Sequence, residues 1–270
     1  MNDIHFYSTN HNAPTVTFRQ ALFNGIAPDR GLYMPSSIPA LPDTLINTFY
    51  KMEYDEIAYH IIKEFLADEI PREDLQKLTK KAYNYDLPLE TVRDNIHVLR
   101  LDRGPTASFK DFAARIMARL MNYFLVREQQ SLTILTATSG DTGSAIANAF
   151  YGLDNIRVVI LFPEKEVTRR QRLQMTTLGS NITTIAVRGK FDDCQYIVKE
   201  AFADPDLSDM NLSSANSINI GRLIPQSVYY FYAWSRIAGG TGKSPVLFSI
   251  PSGNFGDKIK KKKKKKMGLP

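Results

Sequence analysis

The chain has 270 residues, 43% of them hydrophobic and 23% charged, with one cysteine and a formal net charge of +6. This composition excludes a disordered, collagen-like or disulfide-stapled chain, and the length suffices for one large domain or two modest ones. The charge is local: eight lysines fall within 258–266, and without them 26 basic residues face 28 acidic ones, a balance of about −2 for the body.

A charged tail is not the dispersed basic stripe of a nucleic-acid binder, so no nucleic-acid partner is expected. No apolar run approaches the ~20 residues of a membrane helix, and the first residues lack the basic and apolar regions of a signal peptide. The unpaired Cys194 favours a reducing compartment and a packing role, so a cytoplasmic protein without membrane contact is expected. His5, His11, His60 and His97 lie in no ligand spacing, and no metal is expected.

In chain order, the first 94 residues are mainly helical. Residues 50–68 carry Ile57, Ile61, Ile62, Phe65 and Leu66 at helical spacing, and a second helix runs over 71–82. The stretch Gly31-Leu32-Tyr33-Met34-Pro35 reads as loop. From Ile96 the rhythm changes: a strand at 97–101, a loop, then a helix from about Ser108 that buries Phe112, Ile116, Met117, Leu120, Met121 and Phe124. Strands follow at 132–138, 157–162, 182–187 and 246–250, alternating with helices at 144–150, 167–178, 192–202 and 218–236. Runs such as Val158-Val159-Ile160-Leu161-Phe162, apolar on both faces, predict an α/β fold with parallel strands covered by helices.

Lys110 carries the sharpest chemical signal. Ser108 and Asp111 are spaced as an imperfect capping box, which predicts Lys110 in the first turn of its helix. A cation there opposes the helix macrodipole, and the same field favours the neutral amine that a Schiff base requires. Read alone, the stretch favours an exposed lysine beside a cap over a site residue. Two Gly/Ser-rich loops each leave a strand and open a helix: Thr138-Ser139-Gly140-Asp141-Thr142-Gly143 and Pro251-Ser252-Gly253-Asn254-Phe255-Gly256. Helix-opening amides with glycines beside them make anion sites, and the second loop, without an acid before Asp257, suits a phosphate. With Lys110, they predict a ligand site at the C-terminal ends of one sheet. Gly239-Gly240-Thr241-Gly242-Lys243-Ser244 is no P-loop, because Ile237 occupies the first glycine position and the segment precedes a strand. Ser139 fails the nucleophile-elbow frame at Ala137.

These residues resemble the threonine synthase family, pyridoxal-phosphate enzymes of the tryptophan-synthase-β-like fold type II. The resemblance runs from Tyr7-Ser8-Thr9-Asn10 and Asp29-Arg30-Gly31-Leu32-Tyr33-Met34-Pro35 through Gly104-Pro105-Thr106-Ala107-Ser108-Phe109-Lys110-Asp111 and the loop at Thr138. It continues to Asn216-Ser217-Ile218-Asn219-Ile220-Gly221-Arg222 and Pro251-Ser252-Gly253-Asn254-Phe255-Gly256-Asp257. It implies a mainly helical N-terminal region (1–95), a first part of a large domain (96–130), a small α/β domain (131–220) and a return to the large domain (221–257). Family members continue past residue 270, so a C-terminally truncated chain is expected, with 258–270 an anomalous lysine tail.

The resemblance implies pyridoxal 5'-phosphate held by Lys110 as a Schiff base. Gly253, Asn254, Phe255 and Asp257 would contact its phosphate, and Asp141 would face its ring hydroxyl. Ser139 and Thr142 would take the substrate carboxylate, with Asn216, Asn219 and Arg222 candidates for the substrate phosphate or for shaping the pocket. The implied reaction is that of a carbon–oxygen lyase: O-phospho-L-homoserine and water give L-threonine and phosphate, in threonine biosynthesis, by a monomer or homodimer. The alternatives are another fold-type-II enzyme, such as a hydroxy-amino-acid dehydratase or a cysteine synthase, and an inactive fragment whose lysine tail binds polyanions or membrane surfaces electrostatically.

Overall fold

A computed structural model describes residues 4–240, 245–250 and 266–269. The chain begins with β1 (Phe6–Ser8), which pairs antiparallel with β2 (Tyr33–Pro35), Phe6 opposite Pro35 and Ser8 opposite Tyr33. The loop expected at 31–35 is therefore partly strand, and its partner lies 25 residues or so upstream, beyond any local pattern. Between them α1 (Phe18–Asn24) opens on a capping box between Thr17 and Gln20. The short α2 (Asp43–Ile46) follows, then α3 (Tyr54–Ile62) and α4 (Arg72–Ala82). The helix expected over 50–68 is α3 flanked by single 3-10 turns at Phe49–Lys51 and Lys63–Phe65, and positive φ at Ala67 and Asp68 ends it.

Residues 89–99 form a two-stranded hairpin, β3 (Leu89–Arg93) against β4 (Ile96–Leu99), turned at Asp94 with φ +45°. The expected strand at 97–101 thus pairs antiparallel and lies outside the parallel sheet. The following helix, α5 (Asp111–Glu128), buries all six apolar residues that the spacing marked, together with Ala113, Ala114 and Ala118. Small residues on its remaining faces let it be enclosed nearly all round. Gln129, in the left-handed region at φ +54°, closes it.

The parallel sheet is built from β5 (Leu132–Ala137), β6 (Ile156–Pro163), β7 (Ile182–Val187) and the two-residue β8 (Leu212–Ser213), in the order β7-β6-β5-β8. Its connections are α6 (Asp141–Phe150), α7 (Arg169–Thr176) and α8 (Phe191–Ala203). All six β5 residues are buried, and in β6 the apolar run from Val158 to Phe162 is buried except for the half-buried Val159, as expected of strands covered on both faces. One side of the sheet joins the main core through Ile134, Val158 and Ile160; the other packs Leu135, Ala137 and Leu161 on Cys194 and Val198 of α8.

The helix expected over 218–236 is divided into α9 (Ile220–Leu223), a 3-10 turn at Pro225–Ser227 and α10 (Val228–Ala238). Pro225 has no N–H to continue the ladder. Residues 246–250 form no strand ladder among the described residues; Val246, Phe248 and Ile250 pack on the core, while Leu247 is 92% exposed. At the far end Met267 and Leu269 are buried, and the Met267 carbonyl accepts from the Leu41 amide at 3.0 Å. The loop at 251–257, with Gly253, Asn254, Phe255 and Asp257, lies outside the described residues, as do the lysines at 258 and 260–265.

Candidate active site

Lys110 stands between the loop 104–109 and α5. It is the N-cap residue, with α-region angles of φ −67° and ψ −22°, and the helix proper starts at Asp111. The expected capping box does not form. The Asp111 amide donates to the Ser108 carbonyl at 3.0 Å, a tight turn that throws the Asp111 carboxylate back on Thr106. There it accepts from the Thr106 amide at 2.9 Å and the Thr106 hydroxyl at 2.7 Å, with Asp111 itself fully buried. Burial pushes the Asp111 carboxyl above its ordinary value, against the pull of the Thr106 bonds. Gly104 leaves room for this carboxylate, since a Cβ there would overlap it. The loop is thus wrapped on a buried acid, and the lysine next to that acid projects from it. Lys110 Nζ lies 4.6 Å from the Phe109 ring centroid and 3.5 Å from Asp141 Oδ2, with the lysine side chain 21% exposed.

Asp141 comes from the other loop. Thr138, at the end of β5, uses its hydroxyl oxygen to accept from the amides of Gly140 at 3.0 Å and Gly143 at 2.8 Å. The chain therefore turns at once, with Gly140 at φ +138°, and α6 begins at Asp141, three residues before the expected start. Ser139 is exposed and Thr142 half-buried beside the first-turn amides that a helix leaves without intrahelical partners. Asp141 Oδ1 accepts from Gln171 Nε2 at 2.5 Å.

The loop at 138–143 leaves the C-terminal end of β5, in the parallel sheet. Lys110 approaches it from the hairpin side, so the site is not built at the ends of one sheet's strands as expected. Asn216 joins this side of the sheet: its Oδ1 accepts from the Thr136 hydroxyl on β5 at 2.5 Å. Asn219 is fully buried and committed to backbone, donating to the Leu22 and Ser214 carbonyls and accepting from the Gly221 amide as the cap of α9. Arg222 is also buried. Its Nη1 donates to the Ala215 carbonyl at 2.8 Å, its Nε has no partner, and burial pushes the guanidinium down to about 10 while the Asp111 charge opposes that.

Asp111, Thr106, Thr138 and Gln171 contribute to this geometry without having been marked by the sequence as site residues. Asp111 was visible only as the acid of a capping-box spacing, Thr106 and Thr138 only as members of their loops, and Gln171 only as the last residue of the Thr168-Arg169-Arg170-Gln171 capping box that opens α7.

Comparison with known proteins is consistent along the chain. Residues 5–83 match the family model described as threonine synthase N terminus, and residues 85–231 match that of pyridoxal-phosphate dependent enzyme. The threonine synthase of Buchnera aphidicola subsp. Acyrthosiphon pisum is 43% identical over 263 residues, 97% of this chain and 61% of its own length. That of Escherichia coli (strain K12) is 40% identical over 265 residues, 98% of this chain and 61% of its own. Among solved structures, the pyridoxal-phosphate-bound threonine synthase of Brucella melitensis superposes with a TM-score of 0.91 at 40% identity, covering 99% of this chain and 59% of that one. The yeast threonine synthase gives a TM-score of 0.89 at 36% identity, covering 98% and 56%. The chain spans about three fifths of the length of the curated relatives it matches. No helix among the described residues is long and apolar enough to cross a membrane. With one family model covering more than half of its length and the lysine-bearing loop inside it, the chain belongs to the pyridoxal-phosphate dependent enzymes.

Proposed function

We propose that the chain carries the Lys110 half of a cytoplasmic threonine synthase site, which turns O-phospho-L-homoserine and water into L-threonine and phosphate. The observation that carries this reading is the placement of one primary amine, Lys110 Nζ, 3.5 Å from the Asp141 carboxylate at the opening of α6. The donor set fits pyridoxal phosphate: an amine for its aldehyde, a carboxylate beside the amine, and the helix-opening amides of Asp141 and Thr142 next to both. Lys110 would hold the cofactor, Asp141 would face its ring hydroxyl, and Gly253, Asn254, Phe255 and Asp257 would cradle its phosphate. When bound, the cofactor supplies an electron sink for negative charge at the substrate α-carbon.

The remaining work falls to the chain's own groups. Ser139, Thr142 and the first-turn amides of α6 would orient the substrate carboxylate. Lys110 Nζ, once released from the cofactor, would take the proton from the α-carbon and return protons along the substrate skeleton. Phosphate leaves from the γ-carbon and water adds at the β-carbon. Asn216 would shape the carboxylate side through Thr136; Asn219 and Arg222, both turned inward, would shape the pocket wall and not touch the phosphate directly. We place the small domain at 131–220, around the four-stranded sheet.

The test is the visible absorbance of the protein reconstituted with pyridoxal phosphate, together with phosphate release from O-phosphohomoserine. Lys110→Ala is expected to abolish the lysine-bound cofactor band. An unchanged band in that variant would overturn the assignment. Turnover of threonine or O-acetylserine in place of phosphohomoserine would favour the dehydratase or cysteine-synthase reading.

A further inference from the structure

We infer that Gln171 is a positioning residue for the Lys110–Asp141 pair, holding the Asp141 carboxylate in place through a hydrogen bond whose direction is fixed by its neighbours. The inference rests on the reading of Lys110 given above. At the start of α7, the Thr168 hydroxyl accepts from the Gln171 amide at 3.3 Å. The Gln171 side-chain carbonyl, Oε1, accepts from the Thr168 amide at 3.2 Å and the Thr168 hydroxyl at 2.8 Å. With donors occupying its oxygen, the side chain can present only its NH2 end elsewhere. That end reaches Asp141 Oδ1 at 2.5 Å, which leaves Asp141 Oδ2 turned to Lys110 Nζ.

A second observation comes from the loop itself. A Cβ at Gly140 would stand 2.5 Å from Cδ and Nε2 of Gln171 and 2.7 Å from its Oε1. The loop carries glycine where the glutamine amide crosses it. The rest of α7 supports the same contact: Ser144 Oγ donates to the Gln171 carbonyl at 3.3 Å, and Met175 packs where a side chain at Gly143 would otherwise go. One turn on, Gln174 Nε2 reaches the Thr106 carbonyl at 3.5 Å, in the loop that carries Lys110. One helix therefore touches both loops of the site.

Helix capping does not require the amide. A capping box needs only an acceptor at this position, and glutamate serves as well as glutamine. The NH2 group facing Asp141 is the feature that capping leaves unexplained, and it makes the two roles separable.

Gln171→Glu keeps the acceptor for Thr168 but sets a carboxylate against the Asp141 carboxylate; Gln171→Ala removes both contacts. In the full chain, the Glu variant is expected to melt, without cofactor, within about 2 °C of the parent, and the Ala variant lower. Once loaded with pyridoxal phosphate the order reverses. The Glu variant is expected to retain cofactor roughly tenfold more weakly than the parent, and less well than the Ala variant, with a displaced absorption band. Asp141→Asn introduced into the Gln171→Glu background restores a donor–acceptor pair and is expected to recover part of that retention. If Gln171→Glu matches the parent in band and retention while Lys110→Ala loses the band, the inference falls and Gln171 is a helix cap only. If Lys110→Ala keeps the band, the reading of Lys110 falls, and the inference falls with it.

Discussion

The buried carboxylate of Asp111 should decide whether the Lys110 loop keeps its shape. Asp111→Ala removes the acceptor of two buried donors, the Thr106 amide and hydroxyl at 2.9 and 2.7 Å. Hydrogen bonds to a charged group contribute about 1.5–3 kcal/mol each, and relief of the carboxylate's own burial offsets part of the loss. A net destabilisation of about 2–4 kcal/mol is expected. Asp111→Asn should cost within about 1 kcal/mol, because the amide oxygen still accepts from the Thr106 amide and its NH2 can donate to the hydroxyl oxygen. The assay is urea unfolding of the three proteins across pH. The sign follows from the raised carboxyl of the folded Asp111. Protonation of a group with a raised folded value stabilises the native state fully below its ordinary 3.8, and that contribution is lost as pH climbs through the folded value. The asparagine does not titrate, so stability of the Asn variant relative to the parent should rise with pH across that window. Equal losses for Ala and Asn, or an opposite pH trend, would refute the account of Asp111 as the buried anchor of this loop.

Gly140→Ala should destabilise by about 2–4 kcal/mol, combining the strain of a side chain at φ +138° with displacement of the Gln171 amide. Thermal melting measures this, and a melt equal to the parent's would show that the loop relaxes freely. Asn219→Ala should cost about 2–4 kcal/mol in urea unfolding, since it orphans the Leu22 and Ser214 carbonyls and the Gly221 amide. Asn219→Asp should recover only the Gly221 share, because a carboxylate accepts but cannot donate to the two carbonyls.

What was legible in the sequence was local. The strand–helix alternation from Leu132 to Ala203, the buried stripe of α5 and the glycine loop after β5 could each be read from period and punctuation. Pro225 was equally visible, and the helix expected through it is broken there. The losses were contacts between distant segments. Tyr33-Met34-Pro35 becomes a strand only because Phe6–Ser8 lies beside it. The strand β4 was readable, but its partner β3, with Glu90, Thr91 and Arg93, carries too little apolar alternation to declare itself. At the site the same distinction holds. The spacing of Ser108 and Asp111 suggested a helix cap, and the tight turn instead delivers the carboxylate to Thr106. Gln171 could be read as a cap, while its second contact crosses 30 residues to Asp141.

The two halves of the candidate site differ in how firmly they are held, and the helical N-terminal region accounts for the difference. Helix α5, which carries Lys110 at its head, has eleven buried residues. Its Arg115 closes the C-terminus of α4, donating to the Ala82 carbonyl at 2.7 Å and the Lys81 carbonyl at 3.3 Å, so carbonyls that a helix end leaves unpaired are satisfied by the neighbouring helix. Below its first turn, Phe112 packs edge-on against Tyr54, Tyr85 and Tyr229, and its carbonyl accepts from the buried Tyr83 hydroxyl at 2.8 Å. Arg236 of α10 clamps the 3-10 turn at residues 49–51 in the same way, through the Phe49, Tyr50 and Met52 carbonyls. Asp141 heads the well-buried α6, but its side chain is half exposed, and α7, which holds that side chain through Gln171, buries only Met175. A local opening should therefore release α7, and with it the hold on the Asp141 side chain, before it disturbs the Lys110 helix, because few apolar contacts oppose it there. The lysine is the fixed point of the pair, and the geometry between amine and carboxylate is set from the α7 side.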